Sequence, residues 1–222
     1  MNNKTIIIAG GGTGGHLYPG IALARELESK GFTPIFIVRR NDIGRDILKK
    51  EGFKYIEIPS MGMPRGLSYK LLIFPFVIAA GFIRAFTLLR KTRPLAVAGM
   101  GGYISFSAVI CANILGIPSV IHEQNALPGM TNKILSRFAN TVALSFESSK
   151  THFMGCNTVV TGNPVRPELF KEASDEMYGA MFVSKGKYTI LVFGGSQGAA
   201  KINQAVIGSC DFLGALKDKV QF

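Results

Sequence analysis

His16 is the side chain in this 222-residue chain best suited to move a proton. An imidazole near its ordinary pKa can accept a proton from a substrate hydroxyl at neutral pH. His16 closes a glycine-rich run, Gly10-Gly11-Gly12-Thr13-Gly14-Gly15-His16, that directly follows the apolar stretch Thr5-Ile6-Ile7-Ile8-Ala9. A histidine that merely caps the loop or binds phosphate would stand in the same place, so both roles are open at this point. A second run, Gly194-Gly195-Ser196-Gln197-Gly198-Ala199, follows Thr189-Ile190-Leu191-Val192-Phe193 in the same way. Junctions of this kind aim unpaired backbone N–H groups, and the positive end of a helix dipole, at whatever lies in front, and phosphate is the natural guest. Two of them suggest two nucleotide-type half-folds that face one cleft.

Further polar groups recur at strand ends. Gly99-Met100-Gly101-Gly102-Tyr103 is a third glycine turn, and His122-Glu123-Gln124-Asn125 ends the next apolar strand. The latter is not H-E-x-x-H, because Ala126 takes the fifth position, so a zinc protease is excluded. These four polar residues read either as a hydrogen-bonding cluster that holds the site together or as a direct ligand contact, made by Asn125 in particular. Gly10, Gly12 and Gly15 also fit G-x-G-x-x-G, the dinucleotide fingerprint. That reading expects an acid at the end of the second strand. Arg39-Arg40 stands there instead, which would suit a 2′-phosphate and keeps an NADP-dependent oxidoreductase in view.

The elements that must position these groups alternate strand and helix. Strands are expected at 5–9, 34–38, 54–58, 95–98, 119–121 and 141–144, with helices near 17–30, 42–51, 68–91, 103–115 and 130–139. Asp42 can cap the second of these helices. Apolar, β-branched strands in this rhythm imply an α/β fold with a parallel sheet covered on both faces. Thr161-Gly162-Asn163-Pro164-Val165-Arg166-Pro167 reads as a boundary, after which the pattern restarts with a strand at 188–193 and a helix from about 198. The expected division is a first Rossmann-like domain over 1–163, then a linker and the incomplete start of a second over 164–222. The chain thus reads as an N-terminal portion of a longer protein.

Composition narrows the partners. Apolar residues make up 47% of the chain, which implies a globular protein, and 25 basic against 14 acidic residues give a formal charge of +11 that favours anionic partners. Cys111, Cys156 and Cys210 are dispersed, form no C-x-x-C pair and read as reduced thiols. No signal peptide is expected, because the first apolar run ends in the glycine loop. Leu71 to Ile83 is apolar throughout, preceded by Lys70 and followed by Arg84, Arg90, Lys91 and Arg93. Pro75 and Arg84 disturb a spanning helix. The stretch 70–93 therefore reads as a helix with one side on the sheet and one side in an anionic membrane interface.

Taken in order, Gly11–His16, Gly99–Tyr103, His122–Asn125, Gly162–Arg166 and Gly194–Ala199 resemble the motifs of the MurG-type glycosyltransferases over nearly the whole chain. The resemblance implies a GT-B fold and transfer of N-acetylglucosamine from UDP to the C4 hydroxyl of the muramyl sugar of lipid I, forming lipid II for peptidoglycan. Carried over by motif, Thr13, Gly14, Gly15, Asn125, Arg166 and Ser196 would contact UDP-N-acetylglucosamine. Gly101, Gly102 and Tyr103 would line the acceptor side, and His16 would be the candidate general base. His122, Glu123, Gln197 and Gly198 would support the site. The implied reaction is inverting, with no metal and no cofactor, and no Asp-x-Asp motif occurs in the chain. The implied partners are the donor, the undecaprenyl-diphosphate-linked acceptor and the membrane surface, not nucleic acid. The implied place is the cytoplasmic face of the bacterial cell membrane. The competing expectations are the NADP oxidoreductase and a non-catalytic, membrane-docked module.

Overall fold

The computed structural model describes residues 4–42, 44–64, 69–166, 186–194 and 199–221. It divides into two compact units, Met1–Leu169 and Phe170–Phe222. The first is built on a sheet whose strands are β1 Thr5–Ala9, β2 Thr33–Arg39, β3 Lys54–Ile58, β4 Ala96–Gly99, β5 Ser119–Glu123, β6 Thr141–Leu144 and β7 Thr158–Val160. Every pairing is parallel, in the order β3-β2-β1-β4-β5-β6-β7. The crossover helices are α1 Gly14–Ser29, α2 Gly44–Lys50, α3 Lys70–Thr92, α4 Gly102–Ile114 and α5 Met130–Leu135. The order reverses between β1 and β4, which opens a crevice at their carboxyl ends where an open α/β sheet takes its ligands.

Period-two alternation along each strand feeds two cores. Ile7, with Ile37, Val97 and Ile121, packs on the side of α3 and α4, where Ala85, Leu89, Ala108 and Val109 are buried. Ile8, with Phe36, Val38 and Ala98, packs on the opposite side against Leu17 and Ile21 of α1 and Leu48 of α2. Because both faces are covered there, the central strands β1, β2, β4 and β5 bury consecutive residues, and a fully buried Ile stabilises the fold by about 1.5–3 kcal/mol.

α3 buries only a narrow stripe, Gly81, Ala85 and Leu89, spaced one helical turn apart. Gly81 is required by close approach, since a Cβ there would lie 2.4 Å from the Pro59 carbonyl oxygen. The outer side leaves Leu72 75%, Phe76 77% and Ile83 67% exposed. By length and composition this helix is long and apolar enough to cross a membrane, which the interrupted run of sequence did not suggest. Within the fold it is the crossover that joins β3 to β4.

The second unit is sparse in its described residues. β8 Tyr188–Thr189 pairs in parallel with β9 Val220–Gln221, and α6 Ala200–Leu213 lies between them in sequence with no buried residue. The strand expected over 188–193 is therefore shorter, with Leu191 and Phe193 each 77% exposed. Its ladder has β9 as the sole neighbour among the described residues. A ladder of two short strands gains little burial.

Candidate active site

The first glycine loop and the Gly99–Tyr103 turn are the β1 and β4 exits, so the fold sets them side by side. Thr13 is the N-cap of α1 in extended conformation, but its hydroxyl makes no capping bond. It lies instead 3.0 Å from His16 Nδ1. The other edge of the His16 ring rests on Gly101, where a Cβ would fall 2.7 Å from Cδ2 and 2.9 Å from Nε2. Gly101 also has φ +97°, so a side chain is opposed twice, by the imidazole and by the backbone. Burial holds the His16 pKa below its ordinary value, partly offset by the Glu123 carboxylate and by a hydrogen bond to the Gly11 backbone. The ring is thus neutral at pH 7, the state a proton acceptor needs.

A cleft of about 240 Å³ opens beside this ring, lined by Gly11, Gly12, Thr13, His16, Arg39, Ser60, Gly62, Gly102, Tyr103 and Ile104. On the other side of the α1 N-terminus, Gly14, Gly15, Tyr18 and Pro19 line a second depression with Asn163, Pro164, Val165 and Arg166. There the Arg166 guanidinium stacks 4.7 Å from the Tyr18 ring centroid, a cation–π contact that orients it. Thr13, Gly14, Gly15, His16, Gly101, Gly102, Tyr103 and Arg166 therefore gather around one helix end. Asn125 is exposed on the loop after β5. Ser196, Gln197 and Gly198 lie outside the described residues.

The β5 exit is a buried hydrogen-bond web. Glu123 is 1% exposed. Its Oε1 accepts from the Asn125 backbone and side chain at 3.0 Å each, and its Oε2 accepts from Gly129 N at 3.1 Å and Asn132 Nδ2 at 2.9 Å. Four donors on one carboxylate set the course of the loop that presents Asn125. His122 Nε2 lies 3.1 Å from the Gly162 carbonyl oxygen and 3.3 Å from Ser145 Oγ, tying β5 to the segment that leads to Arg166. Burial lowers its pKa, with the Gly162 bond and Glu123 opposing. The Cys111 thiol is pushed up to about 11 by burial, so it is not a nucleophile here.

Several positioning groups escaped the sequence reading. Ser105, fully buried, donates its one hydroxyl proton between the Ala9 carbonyl at 2.9 Å and the Gly101 carbonyl at 2.8 Å, bridging the two glycine turns. Gln124 Nε2 donates to the Met100 carbonyl at 2.7 Å. Asp42, read only as a helix cap, does accept from Gly44 N at 2.8 Å, yet its second oxygen accepts from Gly12 N at 2.7 Å. No local pattern marks the contacts that join strand exits, since Ser105 reaches Ala9, Gln124 reaches Met100 and Asp42 reaches Gly12. The Asp42 contact also bears on the dinucleotide reading. The second glycine of that fingerprint lets a pyrophosphate approach the backbone, and here a carboxylate already holds the Gly12 amide.

Comparison with known proteins agrees with this geometry. The sequence profile of the glycosyltransferase family 28 N-terminal domain matches residues 6–144. The chain is 41% identical over 205 residues to the UDP-N-acetylglucosamine--N-acetylmuramyl-(pentapeptide) pyrophosphoryl-undecaprenol N-acetylglucosamine transferase of Halothermothrix orenii, covering 91% of this chain and 55% of that protein. It is 38% identical to the enzyme of the same name from Bacillus subtilis, covering 94% and 58% respectively. The crystal structure of Acinetobacter baumannii MurG is similar at TM-score 0.68 and 29% identity, over 92% of this chain and 54% of that one. The chain thus spans little more than half the length of these relatives, and none of them is an oxidoreductase. With its parallel sheet, its glycine turns at the switch point and this match over most of the first unit, the chain belongs to glycosyltransferase family 28 and carries its N-terminal domain.

Proposed function

We propose that this chain supplies the acceptor-side half of an inverting transferase that moves N-acetylglucosamine from UDP to the C4 hydroxyl of the muramyl sugar of lipid I, forming lipid II. The observation that carries the reading is a neutral imidazole, His16, held at the crevice where the β1 and β4 glycine turns meet. The names of the relatives supply the donor and acceptor class.

In this reading the C4 oxygen attacks the anomeric carbon as the bond to the UDP oxygen breaks. The α-linked donor becomes a β-1,4 product, and the hydroxyl proton passes to His16. Charge grows on the departing diphosphate. Arg166, with the helix N-terminus and hydroxyl of the Gly194–Gly198 loop at Ser196, is assigned to stabilise it. Thr13, Gly14, Gly15 and Asn125 are assigned further donor contacts. Gly101, Gly102 and Tyr103 are assigned to the acceptor. Residues 1–163 act as the acceptor domain, and 164–222 begin the donor domain. The exposed apolar side of α3, bordered by Lys70, Arg84, Arg90 and Lys91, is assigned to the anionic cytoplasmic face of the membrane.

The test is transfer by the complete enzyme from labelled UDP-N-acetylglucosamine to a lipid I analogue. Turnover is expected, and its loss is expected in His16→Gln. Tight binding of NADPH with no transfer would refute the reading. For α3, sedimentation with anionic vesicles at low salt should retain the protein, and Phe76→Ser should release it. Equal recovery without vesicles would return the helix to a purely structural role.

A further inference from the structure

The Arg39-Arg40 pair, which would suit a 2′-phosphate, has no part in the transfer proposed above. Arg39 ends β2, in register with Ile58 of β3, and is exposed. It lines the cleft of about 240 Å³ beside His16, together with Ser60, Gly62 and Tyr103. The loop after β3 closes the far wall of that cleft: a Cβ on Gly62 would fall 3.0 Å from Tyr103 Cε2. Among the described residues no carboxylate pairs with the Arg39 guanidinium. Asp42, three residues on, is occupied, since its oxygens accept from Gly12 N at 2.7 Å and Gly44 N at 2.8 Å. Glu57 lies 3.7 Å from Arg45 Nη1 instead. No acidic side chain lines the cleft among the described residues. An arginine stays charged at any working pH, so this wall presents an unpaired cation. With the Gly12 amide held by Asp42, the guanidinium is the strong donor left beside the ring.

We propose that Arg39 binds the diphosphate of the acceptor in the cleft beside His16, an inference that rests on the transferase reading. That reaction brings two diphosphates into one crevice, one on the UDP donor and one on the undecaprenyl-linked acceptor. The first unit offers an arginine on each side of the α1 N-terminus. Arg166 borders the depression of Gly14 and Gly15, and Arg39 borders the cleft of Thr13 and His16. Two diphosphates repel each other, and an arginine for each holds them apart on either side of the base. The acceptor's diphosphate is joined to the anomeric carbon of the sugar whose C4 hydroxyl is to meet His16. It therefore lies one sugar ring from the imidazole, within the same cleft. The planar guanidinium fork suits two phosphate oxygens at once, and the Ser60 and Tyr103 hydroxyls border the same space. The acceptor's peptide carboxylates are the other anions that could seek this cation, but they hang from a chain and not from the ring end opposite C4.

The experiment is steady-state transfer by the complete enzyme to two lipid I analogues, one with its diphosphate and one with an uncharged linker in its place. Arg39→Gln should raise KM for the diphosphate analogue by roughly 10- to 100-fold, the loss of hydrogen bonds to a charged group. KM for the uncharged analogue and KM for UDP-N-acetylglucosamine should not change. Arg39→Lys keeps the charge without the fork and should fall between. The donor KM doubles as a control, because a damaged fold would move it too. Equal loss with both analogues would assign Arg39 to another acceptor group, such as a peptide carboxylate, and would overturn the proposal. No loss with either would overturn it as well. Absence of transfer by the unaltered enzyme would instead refute the transferase reading, so the two failures are distinct.

Discussion

The two glycine loops share their lettering and their place after an apolar run, yet the chain treats them differently. β1 feeds the first loop and is flanked by β2 and β4, with Ile7 and Ile8 fully buried. The run before the second loop has two strand residues, and Leu191 and Phe193 face solvent at 77%. Around the first loop, Asp42, Ser105 and Gln124 converge from three other strand exits. At the second, the close contact among described residues is local: a Cβ on Gly194 would meet the Ala199 Cβ at 2.2 Å. A loop sequence states what its backbone can do. Only neighbouring strands make it a rigid site.

The sharpest test of this contrast is kinetic and belongs to the complete enzyme. His16→Gln in the first loop should lower kcat by about 10²–10⁴-fold with little change in KM for the UDP-sugar. Ser196→Ala in the second should mainly raise that KM, by roughly tenfold, the cost of one hydrogen bond to a charged group. If both variants changed the same parameter, the assignment of proton transfer to one loop and diphosphate to the other would fail.

Stability should separate the feeding strands next. Ile8→Ala is expected to cost about 2–5 kcal/mol in urea unfolding, because it empties a packed site. Leu191→Ala should stay within about 0.5 kcal/mol. Comparable losses would mean that the second run is buried after all. Gly101→Ala comes third, at about 1–3 kcal/mol, from left-handed backbone strain plus the contact with His16. Its melting temperature should drop, and a side chain tolerated there without loss would show that the ring does not rest on this glycine.

The smallest effect is pH dependence. Burial lowers the pKa of both His16 and His122, so the unfolded chain binds protons more readily than the folded one. Their contribution is full above the unfolded value of about 6.5 and is lost as pH falls through the lower folded values. Thermal scans should therefore show declining stability below about pH 6.5. His122→Gln, which still offers a donor to Gly162, should flatten that decline. A slope unchanged in the variant would assign the acid sensitivity elsewhere.

Much of the fold and of the site is legible in the residues themselves. Most strands stand within a residue or two of the positions read from apolar runs, because each is flanked by glycine, proline or a charged turn. The α/β class follows from their alternation with helices. The glycine turns and His16 are visible as motifs because α/β folds place such turns at strand exits. The legible part ends where partners are distant in sequence. Asp42 reads as a helix cap and no more, since nothing near it names Gly12. The helix expected near 68–91 does form as α3, and Pro75 and Arg84 lie exposed within it.

By itself, the sequence determined the alternation of elements, the glycine turns that allow close backbone approach, and a histidine at the mouth of a helix. These are local properties, dictated by side-chain volume, φ freedom and periodicity over a few residues. Tertiary structure alone decided that β1 and β4 would be neighbours at a switch point and that Ser105 would bridge their turns. It also decided that a carboxylate 30 residues away would hold the Gly12 amide. Those outcomes depend on the order of strands in the sheet, which burial on both faces settles globally and which no short stretch of residues encodes.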